Sequence, residues 1–244
     1  KERRGPLTEL ADPSGLGQYL VRIAPLLEIL SVVSSVLLVV WGVAPLLPQI
    51  RWVMLPPVIL ALALVVYSFY VRGEKLGEVG LSRQYFSQAL KLLVIPTGLA
   101  CFAFLLFGYL THSFHRSTHF ELNLLIVPLW GVAQQIVLQG FIYRRIYQLL
   151  CTGQVNCQAQ KRQSNWAIFI TAGLFGIVHL PNPALTVLTV LATLMWSWVY
   201  ERAPNFWALG LSHGILSLVL MHSCPPWLLQ SMSVGYKHFL YQKF

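Results

Sequence analysis

The sequence predicts an all-α protein, built as a polytopic bundle of membrane-spanning helices. Of the 244 residues, 56% are hydrophobic and only 10% are charged, whereas about a quarter of the residues in an ordinary soluble domain carry a charge. The apolar residues form runs of about 20, the length that an α-helix needs to cross a bilayer. No polar block is long enough to fold as a separate soluble domain.

Seven segments have the length and composition of a span. In chain order they cover about residues 24–48, 52–72, 87–110, 122–147, 164–182, 184–200 and 205–222. The remaining apolar piece, PPWLLQSMSVGY, is short and interrupted, so it indicates an interfacial or re-entrant segment rather than an eighth span. The chain is therefore divided into an amino-terminal arm (1–23), three spans with an interfacial connector (24–121), a core (122–222) and a tail (223–244).

Lysine and arginine residues are concentrated on one side of this predicted bundle. Thirteen of them lie in the amino-terminal arm and near the ends of the second, fourth and sixth spans, against two, Arg51 and Arg116, on the opposite side. Because cytoplasmic loops are enriched in these residues, we expect the amino terminus on the cytoplasmic side, or on a stroma-like side. Topology thus accounts for the net charge of +9, which does not indicate nucleic acid; the predicted partner is the lipid bilayer.

Three of the predicted spans carry polar side chains at membrane depth, where such groups are costly and usually functional. They are Gln134, Gln135 and Gln139 in the fourth span, His179 at the end of the fifth, and His213 and Ser217 in the seventh. Each cluster taken alone is typical of a hydrogen bond between helices. Three clusters on three helices favour a shared polar cavity inside the bundle.

The first two clusters resemble motifs of the CPBP (Abi) family of intramembrane proteases, which includes the CAAX prenyl endopeptidases. The family motif EExxxR corresponds to Gln134-Gln135-x-x-x-Gln139, followed by Gly and Phe in a manner similar to the family. The family motif FxxxH corresponds to Phe175 and His179.

The third cluster completes the resemblance. The family motif HxxxN corresponds to His213, with Ser217 in place of the asparagine. The resemblance covers about residues 122–222, with a weaker similarity in the connector at 76–81, and it implies a CPBP-like helical core. It also implies roles for the motif residues: in the family the first glutamate activates a water with the second-motif histidine, the second glutamate pairs with the arginine, and the last motif steadies an oxyanion.

The departures from the family motif remove its charged groups. A glutamine at position 134 cannot accept a proton, so it cannot act as the general base, and it cannot supply the negative charge expected at a zinc site. The pair expected to be Glu–Arg is neutral, as Gln135 and Gln139, and we expect these amides to hydrogen-bond along one helix face. An engineered replacement of the two glutamates would not account for Gln139 or Ser217.

No acidic residue in the sequence is an obvious substitute. None of the eight acids lies between positions 122 and 200, and Glu121 precedes Gln134 by roughly 20 Å of helix. We expect Glu201 to lie in a loop beside Arg202, and Glu28 to present an exposed carboxylate near the end of the first span.

The sequence therefore leaves two functions open. The first is a catalytically inactive CPBP-family protein, without a cofactor, that acts as a scaffold, assembly factor or subunit and binds an integral membrane protein through the retained groove. The second is an active CAAX-like endopeptidase with non-canonical catalytic residues, in which His179 and His213 would be the candidate ligands for zinc. For these two histidines we favour a hydrogen-bonded pair that lines the cavity.

A further histidine cluster lies between the third and fourth spans. His112, His115 and His119 are spaced at i, i+3 and i+7, which on a helix would suit a metal. Because this connector is polar, the favoured interpretation is solvated side chains.

Overall fold

The computed structural model describes residues 15–43, 46, 55–116, 119–151 and 157–241. Across these ranges the chain is helical and has no strand, which confirms the predicted all-α class. The α-helices are α1 (Gly15–Leu38), α2 (Leu55–Val71), α3 (Phe86–Leu110), α4 (Phe120–Gln135), α5 (Arg144–Cys151), α6 (Cys157–Val178), α7 (Pro183–Arg202), α8 (Phe206–Ser223), α9 (Pro226–Leu229) and α10 (Tyr236–Tyr241).

Three π-helical segments interrupt or extend these helices. Val39–Val43 continues α1, Gly77–Leu81 lies in the connector before α3, and Ile136–Tyr143 joins α4 to α5. The last segment makes 120–151 one continuous rod with a change of helical pitch in its middle. Because π-helical bonds span five residues rather than four, the faces of α4 and α5 are not in simple α-helical register.

Five helical stretches are long and apolar enough to cross a membrane within the described residues. They are Ile23–Val43, Gly77–Leu110, Phe120–Cys151, Pro183–Arg202 and Phe206–Ser223. The apolar part of α2, Ile59–Val71, is shorter. The chain is thus an integral membrane protein, whereas the number of spans and the side on which the amino terminus lies stay predictions. Parts of the first two predicted spans, at 44–45 and 47–54, and most of the predicted arm lie outside the described residues.

Helix α8 is the centre of the bundle. It packs mainly against α4 and α3, while α6 packs against α7, and α1 packs against α5 and α2. At its start α8 buries Phe206 and Leu209, which belong to the same core as Leu138 and Phe141 of the π-helical segment. The outward faces of the helices expose large apolar side chains, as expected of a surface that contacts lipid.

Glycines allow α4 and α8 to approach closely. A Cβ atom added at Gly131 would lie 2.7 Å from the carbonyl oxygen of Gly210, and one added at Gly214 would lie 2.5 Å from the Cα atom of Pro128. Small residues four apart, such as Gly210 and Gly214, are typical of close helix pairs in membranes. This contact sets the first-motif helix directly against the third-motif helix.

A charged cluster joins four elements: α1, α2, the connector before α3, and α5. Arg145 of α5 is fully buried. Its Nε donates to Glu28 Oε2 of α1 at 2.8 Å, its Nη1 donates to Glu74 Oε1 at 2.9 Å, and its Nη2 donates to Ser68 Oγ of α2 at 2.9 Å. A buried charge is tolerated only when it is paired in this manner. We call Ser68, Glu28, Arg72, Glu74, Arg144 and Arg145 the arginine cluster.

The arginine cluster corrects the prediction for Glu28. Besides its bond to Arg145, this carboxylate accepts a hydrogen bond from Arg72 Nη2 at 2.8 Å and another from Ser68 Oγ at 3.0 Å, so the expected exposed carboxylate is wrong. The prediction failed because the contacts of Glu28 are tertiary: three elements distant in the chain meet at this point.

Two further acids, Glu74 and Glu201, are also held by hydrogen bonds, and the position of Glu201 differs from the prediction. Glu74 of the connector accepts a hydrogen bond from Arg144 Nη2 at 3.0 Å and is mostly buried. Glu201 lies in the last turn of α7 rather than in a loop, and Ser164 of α6 donates a hydrogen bond to it. The short loop expected there begins only at Ala203.

Candidate functional site

A cavity of about 660 Å³ lies between α1, α2, α3, α4, α6, α7 and α8. Most of its wall is aliphatic or aromatic. Its polar lining residues are Ser35, Gln134, His179, Thr189, His213 and Ser217. The volume is within the range of small-molecule sites, which typically combine apolar walls with a few polar groups.

The six motif residues divide into two groups in the structure. Gln134, His179, His213 and Ser217 line the cavity. Gln135 and Gln139 are fully buried in the packed interior. The three helices that carry the motifs thus contribute to one cavity, and only the second and third amides of the first motif are turned away from it.

His213 is held by an amide and an indole. Its ring stacks on Trp196 of α7, with centroids 4.4 Å apart, and its Nδ1 lies 3.3 Å from Gln135 Nε2. An amide nitrogen only donates, so Nδ1 of His213 accepts this bond and Nε2 carries the proton. Trp196 is a site residue that sequence reasoning missed, because a tryptophan inside a span carries no signal of its own.

His179 has the opposite tautomer. It follows the end of α6, and its Nδ1 lies 2.7 Å from the carbonyl oxygen of Phe175, one helical turn earlier. A carbonyl only accepts, so Nδ1 carries the proton and Nε2 is a free acceptor. The Phe175 ring contacts both imidazoles, with centroids 4.5 Å from His179 and 6.5 Å from His213. Both histidines are therefore grouped around the second-motif phenylalanine.

The expected hydrogen bond between Gln135 and Gln139 is wrong. Within the described part of the chain, neither polar atom of the Gln139 side chain has a hydrogen-bond partner, and Gln135 Oε1 also has none. The physical reason is the π-helical segment that begins at Ile136, since it displaces position 139 from the face that an α-helix would share with position 135. The Gln135 amide turns to His213 instead.

The cavity has no acid in its lining. No aspartate or glutamate is among the described residues that line it, and the described residues contain no group of three or more histidine, cysteine or acidic side chains able to hold a metal. Catalytic zinc requires three protein ligands. Two imidazoles, an amide and a hydroxyl do not provide that set, so the donors do not fit zinc.

The histidines between α3 and α4 do not form the helical array considered from the sequence. Residues 113–116 are not helical, and His112 has a φ of 51°. His115 is exposed, with its Nδ1 3.0 Å from the carbonyl oxygen of Ser113. The idea of three ligands on one helix is therefore wrong.

Comparison with known proteins identifies the family. A family model described as type II CAAX prenyl endopeptidase Rce1-like matches residues 80–219, which is more than half of the chain and includes all three motif clusters. No curated protein and no solved structure gives a significant match. Helices α1 and α2 precede the matched region, although they form one wall of the cavity. The chain belongs to the Rce1-like family of type II CAAX prenyl endopeptidases.

Proposed function

We propose that this CAAX-protease-like membrane protein has kept the family's cavity for binding and has lost its hydrolytic chemistry. In this proposal it acts as a scaffold or subunit whose groove receives a segment of an integral membrane partner. The observation that carries the proposal is the uncharged cavity: Gln134 stands where the family has its water-activating glutamate, and no described acid lines the cavity.

The placement of three other acids among the described residues supports this proposal. Glu28 and Glu74 are bound by arginines of the arginine cluster, and Glu201 accepts a hydrogen bond from Ser164. Each of these two carboxylates binds two arginines, and the fully buried Arg145 is bound by both of them. None of them is free to move to the cavity and act as a base.

The decisive experiment is a cleavage assay on the purified protein. A panel of prenylated CAAX peptides and membrane-proximal peptides is incubated with the native chain, and bound metal is measured by mass spectrometry. We expect neither cleavage nor stoichiometric zinc. Native pull-down from the source membrane should yield a membrane protein in fixed stoichiometry.

A variant in which the family residues are restored provides the matched comparison in the cleavage assay. The variant with Gln134→Glu, Gln135→Glu, Gln139→Arg and Ser217→Asn regains the glutamate needed for general base catalysis together with the family's other motif residues. Cleavage by this variant alone would support the proposal. Cleavage by the native chain that disappears in His179→Ala would overturn it.

One observation favours the second candidate, an active endopeptidase with non-canonical residues. The bond from His179 Nδ1 to the Phe175 carbonyl leaves Nε2 able to take a proton from water, as a general base must. The cleavage assay above separates the two candidates, because this mechanism requires activity in the native chain and its loss on His179→Ala.

A further inference from the structure

We propose that the cavity binds a membrane-soluble alcohol, that is, a long apolar chain with a single hydroxyl group and no charge. The hydroxyl would donate a hydrogen bond to Nε2 of His179 and accept one from the Nε2–H of His213. The inference goes beyond the partner binding proposed above and rests on the proposed loss of hydrolysis, because a hydrolytic cavity would need this position for water.

The hydrogen bonds of the two imidazoles carry the inference. The Phe175 carbonyl holds the proton on Nδ1 of His179, and the Gln135 amide leaves the proton on Nε2 of His213. No described residue hydrogen-bonds to either Nε2 atom, and both side chains line the cavity. The two imidazoles therefore present one free acceptor and one free donor close to the same phenylalanine ring, and the polar side chains of Gln134 and Ser217 line the same cavity.

A hydroxyl group matches this pair because it is both a donor and an acceptor. An ether or a ketone would leave the His179 acceptor without a partner, and an unpaired buried polar group costs about 1–3 kcal/mol. A primary ammonium has donors only. It could bind His179, but it would offer no acceptor to the Nε2–H group of His213. The tautomers thus select for a hydroxyl among neutral lipid heads.

The charge of the cavity selects against lipid acids and amines. Among the described lining residues there is no lysine, arginine, aspartate or glutamate, so an ionised head would be buried without a counter-charge. Burial of an unpaired charge is far more costly than burial of a neutral group. Arg72, Arg144 and Arg145 are bound to carboxylates in the arginine cluster.

The rest of the cavity suits a long hydrocarbon chain. The wall is built by aliphatic side chains of α1, α4, α7 and α8 together with Trp130, Phe104 and Trp196. Besides the two imidazoles, its polar lining side chains are Ser35, Gln134, Thr189 and Ser217, and the remaining surface is mainly apolar. One polar end and one long apolar body are the corresponding features of a lipid alcohol.

The test uses a photoactivatable long-chain alcohol with a diazirine in its chain. The full-length protein in detergent is labelled and digested, and mass spectrometry locates the adducts. Unlabelled competitors of equal chain length carry a hydroxyl, a methyl ether or a carboxylate. We expect adducts on α4, α7 or α8 lining residues. We also expect the alcohol to compete about tenfold better than the ether, which corresponds to one net hydrogen bond, and better still than the carboxylate.

Two variants assign the selectivity to the imidazoles. His179→Leu should abolish the advantage of the alcohol over the ether, whereas His115→Leu, in the exposed connector, should preserve it. Equal competition by all three heads, or adducts confined to the outer surface, would overturn the inference, even if every variant failed to fold. Peptide cleavage by the native chain would refute the proposed binding role instead, so the two failures are distinguishable.

Discussion

Arg145 is a buried cation that this membrane protein tolerates because its partners lie around it. It is fully buried and binds two carboxylates and a hydroxyl, whereas Gln139 in the preceding π-helical segment is fully buried and neutral. A buried cation is stable only with its partners. The molecule has therefore retained buried ion pairs at the end of the bundle and has none among the described residues around the cavity.

Truncating Arg145 should be severely destabilising. Arg145→Met leaves Glu28 and Glu74 partly buried with fewer counter-charges, and we expect a loss of about 3–5 kcal/mol in the free energy of unfolding. Thermal unfolding in detergent measures it. The control is Arg116→Met, because Arg116 and Glu121 form an exposed ion pair and exposed pairs contribute little. Equal melting temperatures for the two variants would contradict this account.

Glu74 should make stability depend on pH. Burial alone would raise the pKa of Glu74, but the hydrogen bond and charge of Arg145, with those of Arg144, outweigh it and hold the pKa below its ordinary value of 4.5. Folding thus favours the ionised form, so this contribution is complete above pH 4.5 and is lost as the pH falls through the lowered pKa.

The Glu74→Gln variant measures this dependence. It should melt below the native protein at neutral pH, and the difference should shrink as the pH falls below 4.5 in a series of thermal unfolding curves. Glu78→Gln is the matched control, since Glu78 forms an exposed pair with Lys75. A difference that stays constant across the series would show that Glu74 acts through packing alone.

At the scale of the element, helix ends were the most predictable features. The predicted spans at 184–200 and 205–222 agree closely with α7 and α8. Both helices begin after an asparagine: Asn182 and Asn205 accept hydrogen bonds from the backbone N–H groups of Leu185 and Ala208, as N-cap residues do.

The π-helical segment could not be predicted, because nothing in Ile136–Tyr143 distinguishes it locally from an α-helix. This segment is the reason that the hydrogen bonds of the site were predicted incorrectly. Spacing placed the motif residues on the correct three helices, but it paired Gln135 with Gln139 and missed the contact of Gln135 with His213. The arginine cluster was not predicted either, because its members are up to 117 positions apart in the chain.

The contact between α4 and α8 should be sensitive to one methyl group. In Gly214→Ala the new Cβ would meet the Cα atom of Pro128 at 2.5 Å, so the helices must separate and Gln135 must withdraw from His213. We expect a loss of about 1–3 kcal/mol in the free energy of unfolding. In Gly173→Ala nothing lies within 4 Å of the added atom, and the better helix former should preserve stability. Similar melting temperatures for both variants would contradict the close approach.

On the scale of the whole molecule, the cavity depends on two helices outside the family match. Helices α1 and α2 line it with Val32, Val36, Val40, Ala61 and Leu62, among others. The family core at 80–219 supplies the motif residues, and these two helices supply a wall. The arginine cluster attaches both α1 and α2 to α5, so it connects the wall to the core through polar bonds.

Weakening that attachment should open the cavity. In Glu28→Gln the carboxylate shared by Arg72 and Arg145 is lost, and α1 keeps only its apolar contacts near this end. A single cysteine at the lining position 189 (Thr189→Cys), in a background without the native cysteines, reports access through its rate of maleimide labelling. Each kcal/mol by which the wall is weakened should increase the open population, and hence that rate, about fivefold.

The matched control replaces an acid that plays no part in the wall. Glu121→Gln removes an exposed carboxylate bound only by Arg116 among the described ion pairs, so labelling at position 189 should not change. If Glu28→Gln also leaves labelling unchanged while its melting temperature falls, the arginine cluster stabilises the fold without controlling access. If labelling rises while the melting temperature of the core is preserved, α1 and α2 form a separable wall, and ligands from the bilayer reach the two histidines by its displacement.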